Sequence, residues 1–319
     1  MKVGVFTPLL SQLSLEDTLK KLAGYGIRTV ELGTGNYPGN AHCKLTMLDS
    51  NTELIDFKKK LDQYGFSISA LSCHGNALHP QKEIAAQYRE NSRNTILLAE
   101  KLGVPVVVDF SGCPGDSPNA KWPNWVTCPW PPDYLEVLKW QWDEVVSPYW
   151  VEHGKFAAQH NVKVAIEMHP GFVVYSPETM LKLRSIAGPS VGANLDPSHL
   201  FWQNIDPIAA VRILRDAIFY VHAKDTQMYS ANLPMAGVLD TKNYTDERNR
   251  SWIFRTVGYG HGEEWWREFV STLRMYGYDY VLSIEHEDSL MAAEEGLSKA
   301  ASFLNGMTIK EQPGAAWWA

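Results

Sequence analysis

Lys163-Val164-Ala165-Ile166-Glu167-Met168-His169-Pro170 is a short β-branched run that stops on a carboxylate and an imidazole. The form returns three times toward the C-terminus, in Val191 to His199 (VGANLDPSH), Ile218 to Asp225 (IFYVHAKD) and Tyr280 to Asp288 (YVLSIEHED). Four more apolar runs precede it, from Lys2 to Pro8, Thr29 to Gly35, Ser67 to Gly75 and Pro105 to Gly112. Most intervals between runs have helical periodicity: Leu15, Leu19 and Leu22 share a face, as do Trp266, Phe269, Val270 and Leu273. Near-continuous apolar strands alternating with amphipathic helices indicate a parallel sheet covered by helices. Eight such units predict a single-domain (β/α)8 TIM barrel of the α/β class over residues 1–310, followed by a C-terminal tail over 311–319. Surplus chain at Cys113 to Asp133 and Thr226 to Gly262 predicts long loops after strands 4 and 7, on the face where barrel enzymes carry their sites. A doubly wound open sheet is the alternative. Its Gly-rich phosphate turn is missing from Thr7-Pro8-Leu9-Leu10-Ser11.

With 45% apolar and 20% charged residues in 319, the chain is expected to fold. It has no run approaching a membrane span and no signal-peptide pattern at Met1-Lys2-Val3-Gly4-Val5-Phe6, so a cytoplasmic location and no membrane partner are expected. The net charge of -7, without a basic cluster, argues against nucleic acid as a partner. Cys43, Cys73, Cys113 and Cys128 show no C-x-x-C spacing and fit a reducing compartment.

In a barrel the last four strand ends surround one mouth, so Glu167, Asp196, His222 and Glu285 converge although the chain separates them widely. Three carboxylates in a half-buried mouth repel one another unless a cation neutralises them. Three oxygen ligands and one nitrogen favour one divalent cation, Mn2+ first, with Mg2+ or Co2+ as alternatives. Strand alternation gives His169, Lys224 and Glu287 the directions of Glu167, His222 and Glu285, forming a layer above the metal for substrate hydroxyls or an acid-base relay. Taken singly, each residue has a plainer reading. Asp196 before Pro197-Ser198 is equally a helix cap, Glu167 and Glu285 are equally solvated loop carboxylates, and His222 reads as a rim histidine. His74 is either a substrate contact or a loop hydrogen-bonding group.

The stretches I-E-M-H-P (166–170), N-L-D-P-S-H (194–199), V-H-A-K-D (221–225) and I-E-H-E (284–287) resemble the xylose-isomerase-like superfamily of sugar phosphate isomerases and epimerases, over nearly the whole chain. In its ketose 3-epimerases a Glu, Asp, His and Glu hold one Mn2+ or related ion; the resemblance places these at Glu167, Asp196, His222 and Glu285. It implies substrate contact for His199. The epimerases' arginine six residues after the metal histidine is Met228 here, and the following loop is far longer, which counts against an ordinary free ketose.

The expected chemistry is isomerisation or epimerisation of a keto sugar or oxidised sugar through an enediolate, with Glu167 and Glu285 exchanging the proton. A leaving group β to the abstracted carbon turns the same parts into a lyase, either an inosose-type dehydratase or a C-glycoside-cleaving subunit acting on 3-oxo-glycosides with a small partner subunit. His169 is the candidate additional acid or base. The three tryptophans of Lys121 to Pro132, Trp125 among them, suit a sugar or glycoside ring, or equally pack the loop or a neighbouring subunit in a homo-oligomer. Arg255 and His261, in or just after the segment 229–259, are further candidates for substrate contact. An endonuclease IV-like hydrolase and a non-catalytic sugar-binding subunit are the competing classes. The acidic balance opposes the first and the intact ligand set the second.

Overall fold

Strands that are apolar on both faces need cover on both, and here they obtain it by closing on themselves inside a ring of helices. The structure, a computed structural model, describes residues 1–318. The eight apolar runs form β1 (Lys2–Phe6), β2 (Thr29–Gly33), β3 (Ser67–Ser72), β4 (Val106–Phe110), β5 (Lys163–Glu167), β6 (Val191–Leu195), β7 (Ile218–Ala223) and, after a two-stranded excursion, β10 (Val281–Ile284). They pair in parallel in chain order, and β1 closes the barrel against β10 with Lys2 opposite Val281 and Val5 opposite Ile284. Phe110 stands opposite Glu167, and Glu167 opposite Asn194, so the ends of β4, β5 and β6 arrive level.

Inside the barrel, Val106, Val108, Ala165 and Phe219 form an apolar plug. A larger core fills the space between strands and helices, and all four residues of the periodic stripe Trp266, Phe269, Val270 and Leu273 are buried in it. Local signals place the helices. Ser14 Oγ accepts from the Asp17 amide at the start of Leu15–Gly24, and Ser176 with Thr179 forms a capping box at the start of Pro177–Ala187. Gly154, in the helix Ser147–Gln159, lies so close to the neighbouring helix that an added Cβ would strike the Ala187 carbonyl.

Both long loops carry structure. In the first, helix Asp133–Trp140 continues through a π-helical stretch, Gln141–Val146, which turns Gln141 back under the loop. Its Nε2 donates to Gly115 O (2.9 Å) and Asn124 O (2.7 Å). In the second, β8 (Asp225–Met228) and β9 (Trp252–Arg255) make an antiparallel hairpin, with Asp225 opposite Arg255. The sequence shows no turn signal for that pair because residues 229–251 separate its strands.

Among the described residues no helix is long and apolar enough to cross a membrane. All four cysteines are free; Cys43, Cys73 and Cys113 are buried and Cys128 is exposed. The last helix ends at Asn305, and Gln312 Nε2 donates to Asp279 near the start of the expected tail. The final residue of that tail, Ala319, lies outside the described residues.

Candidate metal centre

Each of the last four barrel strands delivers one ionisable side chain to the same mouth. Glu167 ends β5, Asp196 follows β6, His222 lies one residue before the end of β7, and Glu285 follows β10. One donor atom from each lies within 4.8 Å of the others. Glu167 is 2% exposed and Asp196 and His222 are fully buried.

The hydrogen bonds around this set leave a gap at its centre. Asp196 Oδ1 accepts from Ser198 N (2.8 Å), capping the short helix Pro197–Phe201. Its Oδ2 is buried and unpartnered, though Lys224 Nζ lies 3.2 Å away and His199 Nε2 3.3 Å. His222 Nε2 faces both oxygens of Glu31 at 3.0 Å. A carboxylate only accepts, so the imidazole proton belongs on Nε2. That leaves Nδ1, also buried and unpartnered, 3.1 Å from Glu167 Oε2 and 3.0 Å from Glu285 Oε2. A neutral ring would set a nitrogen lone pair against two carboxylates; without a cation a second ring proton, on Nδ1, relieves this, and a cation in that proton's place keeps every contact attractive. Two orphaned buried atoms in an O,O,O,N donor set therefore fit a divalent ion.

The electrostatics carry the same strain. Burial pushes the Asp196 carboxyl up, with the Glu285 and Glu167 charges adding to it against Lys224, to about 7. For Glu167, burial works upward but hydrogen bonds from His199, His222 and His74 hold it well below the usual carboxylate range. Burial lowers His222, yet the Glu31 and Glu285 carboxylates outweigh it and hold the ring well above an ordinary histidine.

Above the set lies a cavity of about 300 Å3, with His74, Glu167, His169, Lys224, Glu285 and Glu287 on its polar side and Phe6 and Phe110 on its apolar side. A larger one, about 510 Å3 around Phe219 and Tyr276 at the N-terminal ends of the strands, holds no such ligand set. His74 Nε2 lies 3.0 Å from Glu167 Oε2, and His199 Nε2 lies 3.1 Å from Glu167 Oε1. Asn194 Nδ2 completes the grip on Glu167 at 3.1 Å. Lys224 Nζ donates to Glu285 and Glu287, both at 3.0 Å. Burial lowers Lys224, but Glu285, Glu287 and Asp196 overcome it and keep the ammonium charged. His169 Nδ1 lies 2.6 Å from Pro170 O, which accepts its proton and leaves Nε2 as a lone pair; burial also depresses this ring. Its centroid is 4.0 Å from that of His199.

Four of the expected substrate contacts, His199, Trp125, Arg255 and His261, lie outside the cavity lining. Trp125 packs edge-on to Tyr175 (5.4 Å) and against the cluster of Trp202, Trp252 and Phe254, because the 113–133 loop folds back onto the barrel. Arg255 is committed to Asp288 (3.1 Å) and Gln227 (2.7 Å). His261 stacks on Phe201 at 3.7 Å and bonds Asp225. The hairpin supplies Phe254 instead, 5.4 Å from His199 and 4.6 Å from Lys224 Nζ. Glu31, buried in β2, escaped the sequence reading. The available signal was a lone carboxylate inside the apolar run Thr29-Val30-Glu31-Leu32-Gly33.

Among curated proteins, the chain is 39% identical over 308 residues to the uncharacterized protein YfiH of Bacillus subtilis (strain 168), covering 95% of this chain and 98% of that one. Among solved structures, it superposes on the probable 3-DHS dehydratase AsbF of Bacillus anthracis with a TM-score of 0.67 at 17% identity, covering 96% and 99% of the two chains. The IOLI protein, solved with a bound zinc atom, gives 0.63 at 17% identity over 96% and 98%. Residues 19–307 match the family model described as xylose isomerase-like TIM barrel. The chain belongs to the xylose isomerase-like TIM barrel family.

Proposed function

We propose that this protein is a divalent-metal-dependent isomerase or epimerase that removes a proton beside the carbonyl of a keto sugar or oxidised sugar. The observation that carries the reading is the pair of orphaned buried atoms, Asp196 Oδ2 and His222 Nδ1, at the centre of the Glu167, Asp196, His222 and Glu285 set. When bound, a divalent cation, Mn2+ before Mg2+ or Co2+, would polarise the substrate carbonyl and lower the acidity barrier of the neighbouring C–H. Glu167 and Glu285 both line the cavity. Both carboxylates are held below their usual range, Glu167 by its hydrogen bonds and Glu285 by Lys224, so both are ionised near neutrality and have an oxygen lone pair to offer a substrate proton. His74 and His199 orient Glu167, and the Lys224 ammonium lines the cavity that substrate oxygens would enter. The small, polar cavity suits a sugar-sized carbonyl compound.

Lys224 and His169 favour a second reading. A charged ammonium and a neutral imidazole with a free Nε2 line the same cavity outside the metal set. They would supply the additional acid and base that expulsion of a β leaving group requires, making the protein a lyase of the dehydratase or 3-oxo-glycoside-cleaving kind.

Metal analysis followed by incubation in heavy water with keto sugars and 3-oxo-glycosides tests both readings. About one divalent ion per chain, with deuterium at the carbon beside the carbonyl, supports the first; metal with release of water or an aglycone supports the second. Full turnover in a metal-stripped preparation would reject both.

A further inference from the structure

We propose that Glu31 is a positioning residue, which holds the His222 imidazole in the one tautomer able to offer Nδ1 to a cation. The inference rests on the metal-centre reading above and deepens it.

Glu31 sits in the middle of β2 and is fully buried. Both its oxygens lie 3.0 Å from His222 Nε2, a partner 191 positions away in the sequence. Two hydroxyls complete its surroundings: Ser283 Oγ donates to Oε2 at 2.6 Å and Ser72 Oγ donates to Oε1. Those hydroxyls come from β10 and β3, so three strands besides β2 converge on one carboxylate. Phe6 stacks on the His222 ring with centroids 5.5 Å apart and fixes its plane.

A buried carboxylate is costly, and among the described residues His222 is the one basic side chain paired with Glu31. Its place in the fold is explained if its charge serves the imidazole. An acceptor fixed on Nε2 forces that proton to stay there and directs the Nδ1 lone pair at Glu167 and Glu285. A carboxylate behind the ring also makes the imidazole a stronger donor to a cation. Among the described residues the Glu31 carboxylate hydrogen-bonds His222, Ser72 and Ser283, none of which lines the cavity, and so acts on the reaction indirectly.

The test is Glu31→Gln, which keeps the shape but removes the charge and fixed acceptor. Mn2+ is titrated into metal-free protein, and the free ion is counted by its electron paramagnetic resonance signal. Co2+ absorption spectra of the same samples report the ligand field. Wild type is expected to bind about one Mn2+, and the variant to bind it about 10- to 100-fold more weakly with an altered Co2+ spectrum. If Glu31→Gln does not fold, Ser283→Ala keeps the charge but deletes one of its hydroxyl donors, and a smaller loss of Mn2+ affinity in the same direction is expected. Wild-type affinity and an unchanged Co2+ spectrum in a folded variant overturn the proposal while leaving the metal centre intact. A wild-type chain that takes up no Mn2+ or Co2+ overturns the reading on which it rests.

Discussion

Replacing Asp196 by asparagine should make the metal-free protein more stable and the metal-loaded one less so. Burial and the charges of Glu285 and Glu167 raise this carboxyl from about 3.8 to about 7 in the folded chain. The folded state therefore holds a proton that the unfolded state has lost throughout that interval. Stability of the metal-free wild type falls as pH rises from about 4 to about 7 and stays low above it. A shift of about 3 units corresponds to about 4 kcal/mol. Asparagine keeps the Oδ1 cap on Ser198 N but turns an amide toward the Lys224 ammonium 3.2 Å away, returning about 1 to 2 kcal/mol. The net expectation is a gain of about 2 to 3 kcal/mol for Asp196→Asn above pH 7 in chelator, vanishing below about pH 4. Excess Mn2+ should reverse the order, because a ligand at about 1,000 times its dissociation constant adds about 4.1 kcal/mol to wild type. Urea unfolding at pH 4 and pH 8, with EDTA and with Mn2+, reads all four states. An asparagine variant less stable than wild type at pH 8 in EDTA would show that the cluster is not strained, and the argument for a cation would lose its electrostatic half.

Glu167→Gln should cut turnover by about 10^2- to 10^4-fold, since an amide can neither take the proton nor accept from His74, His199 and Asn194 together; steady-state rates on any substrate found in heavy water check this. Leu273→Ala, in the buried stripe of the helix Glu263–Met275, should cost about 2 to 5 kcal/mol in guanidinium unfolding. Gly154→Ala drives a methyl into the Ala187 carbonyl and should lower stability by about 1 to 3 kcal/mol in the same assay, with the Mn2+ affinity unchanged.

The barrel was legible because its strands are buried on both sides and announce themselves as unbroken apolar runs, and the cluster of Glu167, Asp196, His222 and Glu285 because each of the last four runs stops on an ionisable residue. The hairpin was not legible. Gln227 and Met228 are partly exposed, and their partners Trp252 and Ile253 follow a 23-residue excursion from 229 to 251, so no local pattern links them. Glu31 was hidden differently. Its neighbours are ordinary strand residues, and its partner His222 becomes visible only once the barrel has closed. Trp125 and Arg255 were placed by loop length alone, which gives proximity to the mouth but no orientation. Asp196 had two readings, cap and ligand, and its two oxygens separate them: one caps a helix and the other faces the gap.

Asp225 gathers the amides of Gly258, Gly260 and His261, the His261 ring and the Trp266 indole onto one carboxylate. Asp288 grips the other side of the same root through Thr256 N and Arg255. With its roots clamped, the excursion from 229 to 251 is anchored independently of its own tip. Tyr244 and Val238 reach back from it onto Phe254 and Trp252, so a shortened excursion that spares those two contacts should leave Phe254 at its station beside His199 and Lys224.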